Sequence, residues 1–334
     1  MLKRNVKDEL KREIEKPLTK VVNGYTVPFS CEEEVLKLAS LNNHVRDGFI
    51  VFDEIPHLYY IKGKSGYTSA TTFIHHFFND FDGQKIASAM VIKKTFTSDP
   101  PLEKYMKYQP MRFDTVHLPN GKKKRVQLSN SKLVRRIIDS WEKDGDKQSS
   151  LGTVMHRQIE LFYNDALNEK EEECIQKTKE FGLFETYHAE IQSRSWQAFR
   201  TEMIVWDEET QLCGSIDMIY IDTSLNQDLQ AWRDGKITLR VRLVDWKRSK
   251  GITTGSYGKF GKGPCCKLPD ANFYHYKIQL NLYRYMLEKN YNVQVDSMAI
   301  CVCHPKNDVY NEFVVGDEQE LIRSMVQERI DSNK

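Results

Sequence analysis

The 334-residue sequence contains no apolar run of about 18 residues, so it offers no candidate for a membrane-spanning helix. Its opening stretch, "MLKRNVKDELKREIEKP", mixes acids with bases and lacks an apolar centre. It therefore resembles neither a secretory signal nor an acid-poor transit peptide. Cysteine is sparse: seven residues, an odd number, are scattered along the chain. That pattern argues against a disulfide framework and for reduced thiols in an intracellular compartment. There is no internal repeat and no helicase or nucleotide-binding motif. The Gly-rich stretch "GITTGSYGKFGKG" does not fit the phosphate-cradling G-x-x-x-x-G-K-[ST] pattern.

What is present is an ordinary globular composition, 40% apolar and 29% charged, long enough for one large domain or two moderate ones. The net charge of +2 points to no partner, but the distribution is uneven. Residues 116–138 hold seven Lys/Arg and no acid; residues 247–277 hold seven against the single acid Asp270. Such stretches are either local phosphate-binding surfaces or solvated loops.

Patterning predicts a charged helix over residues 1–20 stopped at Pro17, and a short helix over Glu32–Ser40. Two strands follow in "FIVFDEIPHLYYIKG", then a strand-to-helix passage in "YTSATTFIHHFFNDF" and a helix over Lys85–Phe96. In "DTVHLPNGKKKRVQL", Asn120-Gly121 suits a type I′ hairpin turn. "SKLVRRIIDSWEK" reads as helix and "DGDKQSS" as a polar break. Further helices are expected in "GTVMHRQIELFYND", residues 152–165, and at 171–193, 273–290 and 317–330. Strands are expected at 201–206, 212–221, 238–246, 297–304 and 310–315. The order is mixed α/β, with residues 1–150 as an N-terminal helical and hairpin region and 151–334 as the core.

The segment "LVDWKRSKG" carries the chemistry. Alternation on a strand points Asp245 and Lys247 to the same face as Leu239, Val241 and Leu243. The neighbouring "CGSIDMIYI" sets Asp217 among apolar residues. Carboxylates embedded in adjacent apolar strands call for a cation, and oxygen ligands suit Mg²⁺ or Mn²⁺. The bare spacing recurs at Glu9-Leu10-Lys11 and Asp234-Gly235-Lys236, but only Asp245 has the apolar strand around it. His156 and Glu160 share a helix face, as do Gln279 and Tyr283, and Glu202 opens the preceding strand.

Taken in order, Gly152-x-x-x-His156, Glu202, Gly214-x-x-Asp217, Asp245-x-Lys247 and Gln279-x-x-x-Tyr283 resemble the motif series of RecB-like nucleases of the PD-(D/E)xK superfamily. "YTSATTFI" resembles the Ser-Val-Thr-Thr segment of exonucleases in that group. "DWKRSK" is similar to the Asp-Trp-Lys-Thr-Ser of mitochondrial genome maintenance exonucleases and some viral relatives. The resemblance implies a PD-(D/E)xK core, a mixed central sheet flanked by helices, behind an N-terminal mainly helical region that carries a β-hairpin. It implies one or two Mg²⁺ or Mn²⁺ ions held by His156, Asp217, Asp245 and the Trp246 carbonyl. Lys247 would orient water and stabilise charge on phosphate; Glu202 would complete the shell or hold Lys247; Gln279 and Tyr283 would position the strand. Glu160 belongs to the group only loosely.

The activity implied is a metal-dependent DNA exonuclease preferring single strands or free ends, in repair, recombination or replication-linked end processing. It would act in the cytoplasm, the nucleus or a viral replication site. An endonuclease, a flap or RNA nuclease, and a catalytically silent binding module are the alternatives. Strand-binding cations are expected at Lys122, Lys123, Lys124 and Arg125 in the hairpin, where residues 77–150 would form a strand-guiding arch. Arg248, Lys250, Lys259 and Lys262 are expected to bind from a mobile loop. Phe78, Tyr105, Tyr108 and Trp141 are either stacking platforms or core. Any unwinding would come from a helicase or a replication or recombination partner. Some relatives hold an iron–sulfur cluster through one upstream and three downstream cysteines. Cys265-Cys266 and Cys301-x-Cys303 lack that spacing, so no cluster is expected. Cys301 and Cys303 read as small inward-facing hydrophobes, with a zinc site including His304 as the alternative.

Overall fold

The strands that carry the acids are apolar on both faces, which requires cover on both sides. The computed structural model describes residues 19–22, 25–28, 36–53, 58–167 and 178–332. The helix expected over residues 1–20 lies almost wholly outside them. Two compact units are present: residues 80–154 form one, and the described residues up to Asn79 together with 155–334 form the other. The described segments before residue 80 thus group with the sheet-bearing unit.

In the larger unit a hairpin pairs β1 (Thr19–Val22) with β2 (Tyr25–Pro28), and α1 covers Lys37–Leu41. A second hairpin pairs β3 (Ile50–Asp53) with β4 (Leu58–Ile61). β5 (Thr68–Ser69) leads into α2 (Ala70–His76), whose start is capped by the Ser69 hydroxyl accepting from Thr72 N–H.

In the smaller unit, α3 (Gly83–Val91) and α4 (Lys94–Thr97) replace the single helix expected there. Their buried face, with Ala87, Met90 and Phe96, meets Tyr105, Tyr108, Leu133 and Ile137. A hairpin of β6 (Phe113–His117) and β7 (Lys123–Gln127) follows, with a turn that differs from the sequence expectation. Gly121 N–H donates to Leu118 O at 2.9 Å and Leu118 N–H to Lys122 O at 2.8 Å. Of the three loop residues only Gly121 has a positive φ, +78°. Pro119 pre-sets the first corner of a turn that the left-handed glycine then completes, so a three-residue loop displaces the type I′ turn. α5 then runs unbroken from Asn130 to Tyr163. The expected polar break at "DGDKQSS" is continuous helix: Gly145 costs only about 1 kcal/mol there, and the Ser150 hydroxyl returns its hydrogen bond to Asp146 O.

Beyond α5, α6 (Lys179–Ser193) precedes the antiparallel pair β8 (Trp196–Asp207) and β9 (Leu212–Asp222). After α7 (Leu229–Arg233), β10 (Leu239–Lys247), α8 (Asn272–Asn290) and β11 (Val293–Val302) form a parallel crossover unit. β12 (Asn311–Val315) returns antiparallel, and α9 (Gln319–Ser332) closes the chain. The six-stranded sheet is mixed, ordered β12-β11-β10-β9, with β8 along one edge of β9 and β5 on the other. Leu239, Val241 and Leu243 pack with α8 residues such as Ile278 and Leu282. Val244 and Trp246, on the opposite face, pack with Met155, Ile159 and Phe184. The central strand is thus covered by helices on both sides. No helix among the described residues is long and apolar enough to cross a membrane.

Candidate active site

β9 is shared by two partners on one edge. Its residues 218–221 pair with β10, whereas 212–213 pair with β5. The strands therefore part just beyond the Val244–Met218 pair, and the expected site residues gather at that opening. There Trp246 N–H donates to Asp217 Oδ2 at 2.8 Å, a side chain replacing the lost ladder partner.

Continuing the same register sets Asp245 beside Asp217. On the other side of β9, the pairs Thr201–Met218 and Met203–Ile216 bracket Glu202 opposite Asp217. Three acids thus stand side by side on three adjacent strands. Glu202 holds φ at +43°, a left-handed conformation inside a strand that costs a non-glycine residue about 1–3 kcal/mol. Its carboxylate accepts from the Ser215 hydroxyl at 2.8 Å and reaches His156 Nδ1 at 3.4 Å.

His156 enters from the last turns of α5. Its Nε2 donates to the Trp246 carbonyl at 2.9 Å, and Nδ1 lies 3.7 Å from Asp217. Burial opposes charging the ring, but Asp217 and then Glu202 outweigh it and raise the group to about 9. His156, Glu202 and Asp217 each present a ligand atom within 4.8 Å of the others, the only such trio among the described residues.

Asp245 is 2% exposed. The Lys247 ammonium lies 2.6 Å from its Oδ2 as an ion pair, while Oδ1 has no hydrogen-bond partner among the described residues. Burial lifts Asp245 to about 6, with Lys247 pulling down and Asp217 pushing further up. Asp217 is raised too, first by burial, against the pull of His156 and Lys247. Both carboxylates are thus held short of the positive charge that would stabilise their ionised forms. A cation bound among oxygen donors would supply it, so the donor set fits a hard divalent ion.

Lys247 is held from a second side by a residue the sequence reading missed. Its Nζ sits 4.7 Å from the centre of the Tyr276 ring on α8. The position was legible in principle, because Tyr276 lies three residues before Gln279 on the same helix. Gln279 Nε2 donates to Tyr283 Oη at 3.1 Å. Tyr283 occupies the space above Gly214, where an added Cβ would fall 2.7 Å from its ring carbon and 3.2 Å from Ala70 Cβ. The "YTSATTFI" segment and the Gly214–Asp217 segment therefore meet at Tyr283. Glu160 is paired with Arg157 at 2.7 Å and raised by burial against that pairing. Gly152 contacts nothing with the space a Cβ would take.

The expected binding cations divide. Lys122, Lys123, Lys124 and Arg125 are exposed on their hairpin, with the Arg125 guanidinium 3.9 Å over the Phe113 ring. Lys250, Lys259 and Lys262 are exposed. Arg248 is not: its side chain is 9% exposed and bonded to Glu180 at 2.7 Å, so it serves as a buried ion pair between β10's end and α6. The loop expected to be mobile is tied down instead. Gly261 N–H reaches Leu268 O, Asp270 N–H reaches Lys259 O, and Lys262 N–H reaches Phe77 O. Phe78, Tyr105 and Tyr108 are buried, and Trp141 donates to Tyr108, so all four serve packing. Cys301 and Cys303 are fully buried among Met155, Trp246 and Tyr187. No protein-family model matches the chain, and no curated protein does.

Proposed function

We propose that this chain is a divalent-cation-dependent nuclease with a RecB-like PD-(D/E)xK core, hydrolysing phosphodiester bonds of DNA with a preference for single strands or free ends. The observation that carries the reading is Asp245. A carboxylate this buried, raised in spite of its Lys247 ion pair and with a second acid beside it, is costly unless the site takes up a cation.

Asp217, Asp245 and Glu202 would hold Mg²⁺ or Mn²⁺ together with His156 and the Trp246 carbonyl. When bound, such an ion polarises a phosphodiester and makes a water nucleophilic near neutral pH. The remaining work belongs to the chain. His156 is the proton-bearing partner of Glu202 in the cation-free site, so it must give up that proton to act as a ligand. Lys247, fixed between Asp245 and Tyr276, keeps its charge because Asp245 and Asp217 outweigh burial, and it stabilises negative charge as it builds on the phosphate. Gln279 and Tyr283 orient the strand through their linked amide and hydroxyl. The closed packing of Tyr283 on Gly214 fixes that pair against the acidic row.

The test is cleavage of linear and covalently closed circular single-stranded DNA in Mg²⁺ and Mn²⁺, with Asp245→Ala as control. Degradation of linear DNA alone, lost in the variant, supports an exonuclease. Cutting of circles makes it an endonuclease, and a preference for ribose-containing strands moves the substrate to RNA. Binding without cleavage in either metal would leave a silent module and overturn the proposal.

A further inference from the structure

The loop after Lys247 carries a feature that the site does not use. Lys259 N–H donates to Ser256 O, closing a turn whose two central residues, Tyr257 and Gly258, have φ of +53° and +81°. Positive φ at both positions defines the primed turn, which favours Gly, Asn or Asp at its first corner. Here that corner holds a tyrosine, in a backbone conformation bulky L side chains avoid. Its ring is fully exposed, at 105%, so folding gains nothing from it. Phe260, three residues on, is a second exposed aromatic at 46%.

The turn stands on a fixed base. Phe260 pairs with Pro269 in an isolated antiparallel bridge, and Cys265 is buried against Met325. Thr253 donates through its N–H and hydroxyl to Asn272, the first residue of the helix that carries Tyr276, Gln279 and Tyr283. Between Arg248 and Pro269 there is no acid, and Lys250, Lys259, Lys262 and Lys267 are all exposed. Lys247, Arg248 and Lys277 differ, since each is engaged by an acid. A tied-down turn that carries a solvent-facing ring on a strained backbone, amid lysines that make no ion pair among the described residues, matches a single nucleic-acid strand, which offers a π-face and a phosphate at every step.

We propose that the 256–260 turn is a strand-docking platform: Tyr257 stacks on an unpaired base while Lys250, Lys259, Lys262 and Lys267 neutralise the neighbouring phosphates. The inference rests on the nuclease reading for its biological sense, but it is measurable without cleavage.

The experiment is fluorescence anisotropy of the full chain with a labelled 20-residue oligothymidylate in EDTA, for wild type, Tyr257→Gly, Tyr257→Trp and Lys259→Ala/Lys262→Ala. Tyr257→Gly is expected to weaken binding about tenfold with an unchanged salt slope. Its melting temperature should be equal or higher, because glycine suits the left-handed corner. Tyr257→Trp should retain affinity, and the lysine pair should flatten the salt slope by about 1.4, or 0.7 per contact. Wild-type affinity in Tyr257→Gly would overturn the platform while leaving metal-dependent cleavage untouched as a separate result. Equal, Tyr257-dependent binding of a poly-glutamate peptide would also overturn it, making the turn a docking point for acidic protein. A wild-type chain that neither binds the oligonucleotide nor cleaves it would remove the nuclease reading as well.

Discussion

Glu202 and Asp217 face each other across β8 and β9, and His156 lies within reach of both. Like charges directly opposite on a sheet are destabilising, and Glu202 adds a left-handed backbone to the cost. Strain and repulsion thus coincide at one point of the sheet, a local cost that the rest of the fold must offset.

Neutralising the middle acid should expose that trade. Burial raises Asp217, so its charge opposes folding at neutral pH. Asp217→Asn keeps an acceptor for Trp246 N–H and should stabilise the metal-free chain by on the order of 1 kcal/mol. The same variant should lose the stabilisation by Mn²⁺, which for wild type at a hundred times its Kd is about 2.7 kcal/mol. Thermal melts in EDTA and in Mn²⁺ read both effects. A destabilised metal-free variant would contradict the cost assigned to this acid.

Tyr276 should act through Lys247. Tyr276→Phe keeps the ring face and should leave kcat within about twofold. Tyr276→Ala removes a contact of about 1–2 kcal/mol and should lower kcat by roughly tenfold, with a smaller change in KM. Equal activity of the alanine variant would show that Asp245 alone fixes the ammonium.

Gly214 has no room for a side chain. Gly214→Ala drives a Cβ to 2.7 Å from the Tyr283 ring and should cost about 1–3 kcal/mol, with loss of cleavage. In a Tyr283→Ala background the stability cost should shrink, so a double-mutant cycle on urea melts reads the contact. Additive costs would mean the two residues do not press on each other.

Acid stability should depend on Asp207. This carboxylate is buried, which alone would raise it, but Lys289, Asn290 and Thr210 lower it below the usual range through hydrogen bonds and an ion pair. Its contribution is therefore complete above the unfolded value near 4, and is lost as pH falls through the lower folded value. Asp207→Ala should cost about 3 kcal/mol at pH 7 and less at pH 3, measured by denaturant unfolding at each pH. A pH-independent difference would contradict the sign.

Gly145 tests the unbroken helix. It is exposed, and a Cβ there meets nothing. Gly145→Ala should stabilise the chain by about 1 kcal/mol if the helix runs through it, and should be neutral if a loop lies there.

The strands at 201–206, 212–221 and 238–246 were legible because their apolar runs are long and end in recognisable turns. So was the face shared by Asp245 and Lys247, because alternation alone decides it. The three-acid row was not, since the registers of β8 and β10 on β9 are non-local and no spacing in the sequence reports them. Tyr276 escaped because its three-residue spacing from Gln279 marks a shared helix face but not a contact with a cation on another element. The "DGDKQSS" break failed because one glycine and several polar residues cost a helix less than its flanking turns gain. The Arg248–Glu180 pair was not legible, because charge counting does not reveal a buried acid waiting on another element.

If Lys247 and the acidic row form one phosphodiester-hydrolysing centre, single-turnover cleavage depends on the Lys247 ammonium, and Lys247→Ala is the variant to measure. The variant is compared with wild type on end-labelled single-stranded DNA in Mn²⁺, with Mn²⁺ binding followed in parallel by calorimetry. Cleavage should fall by at least about a hundredfold while Mn²⁺ still binds, as expected for loss of a charge that stabilises the transition state. Undiminished cleavage by Lys247→Ala would contradict it.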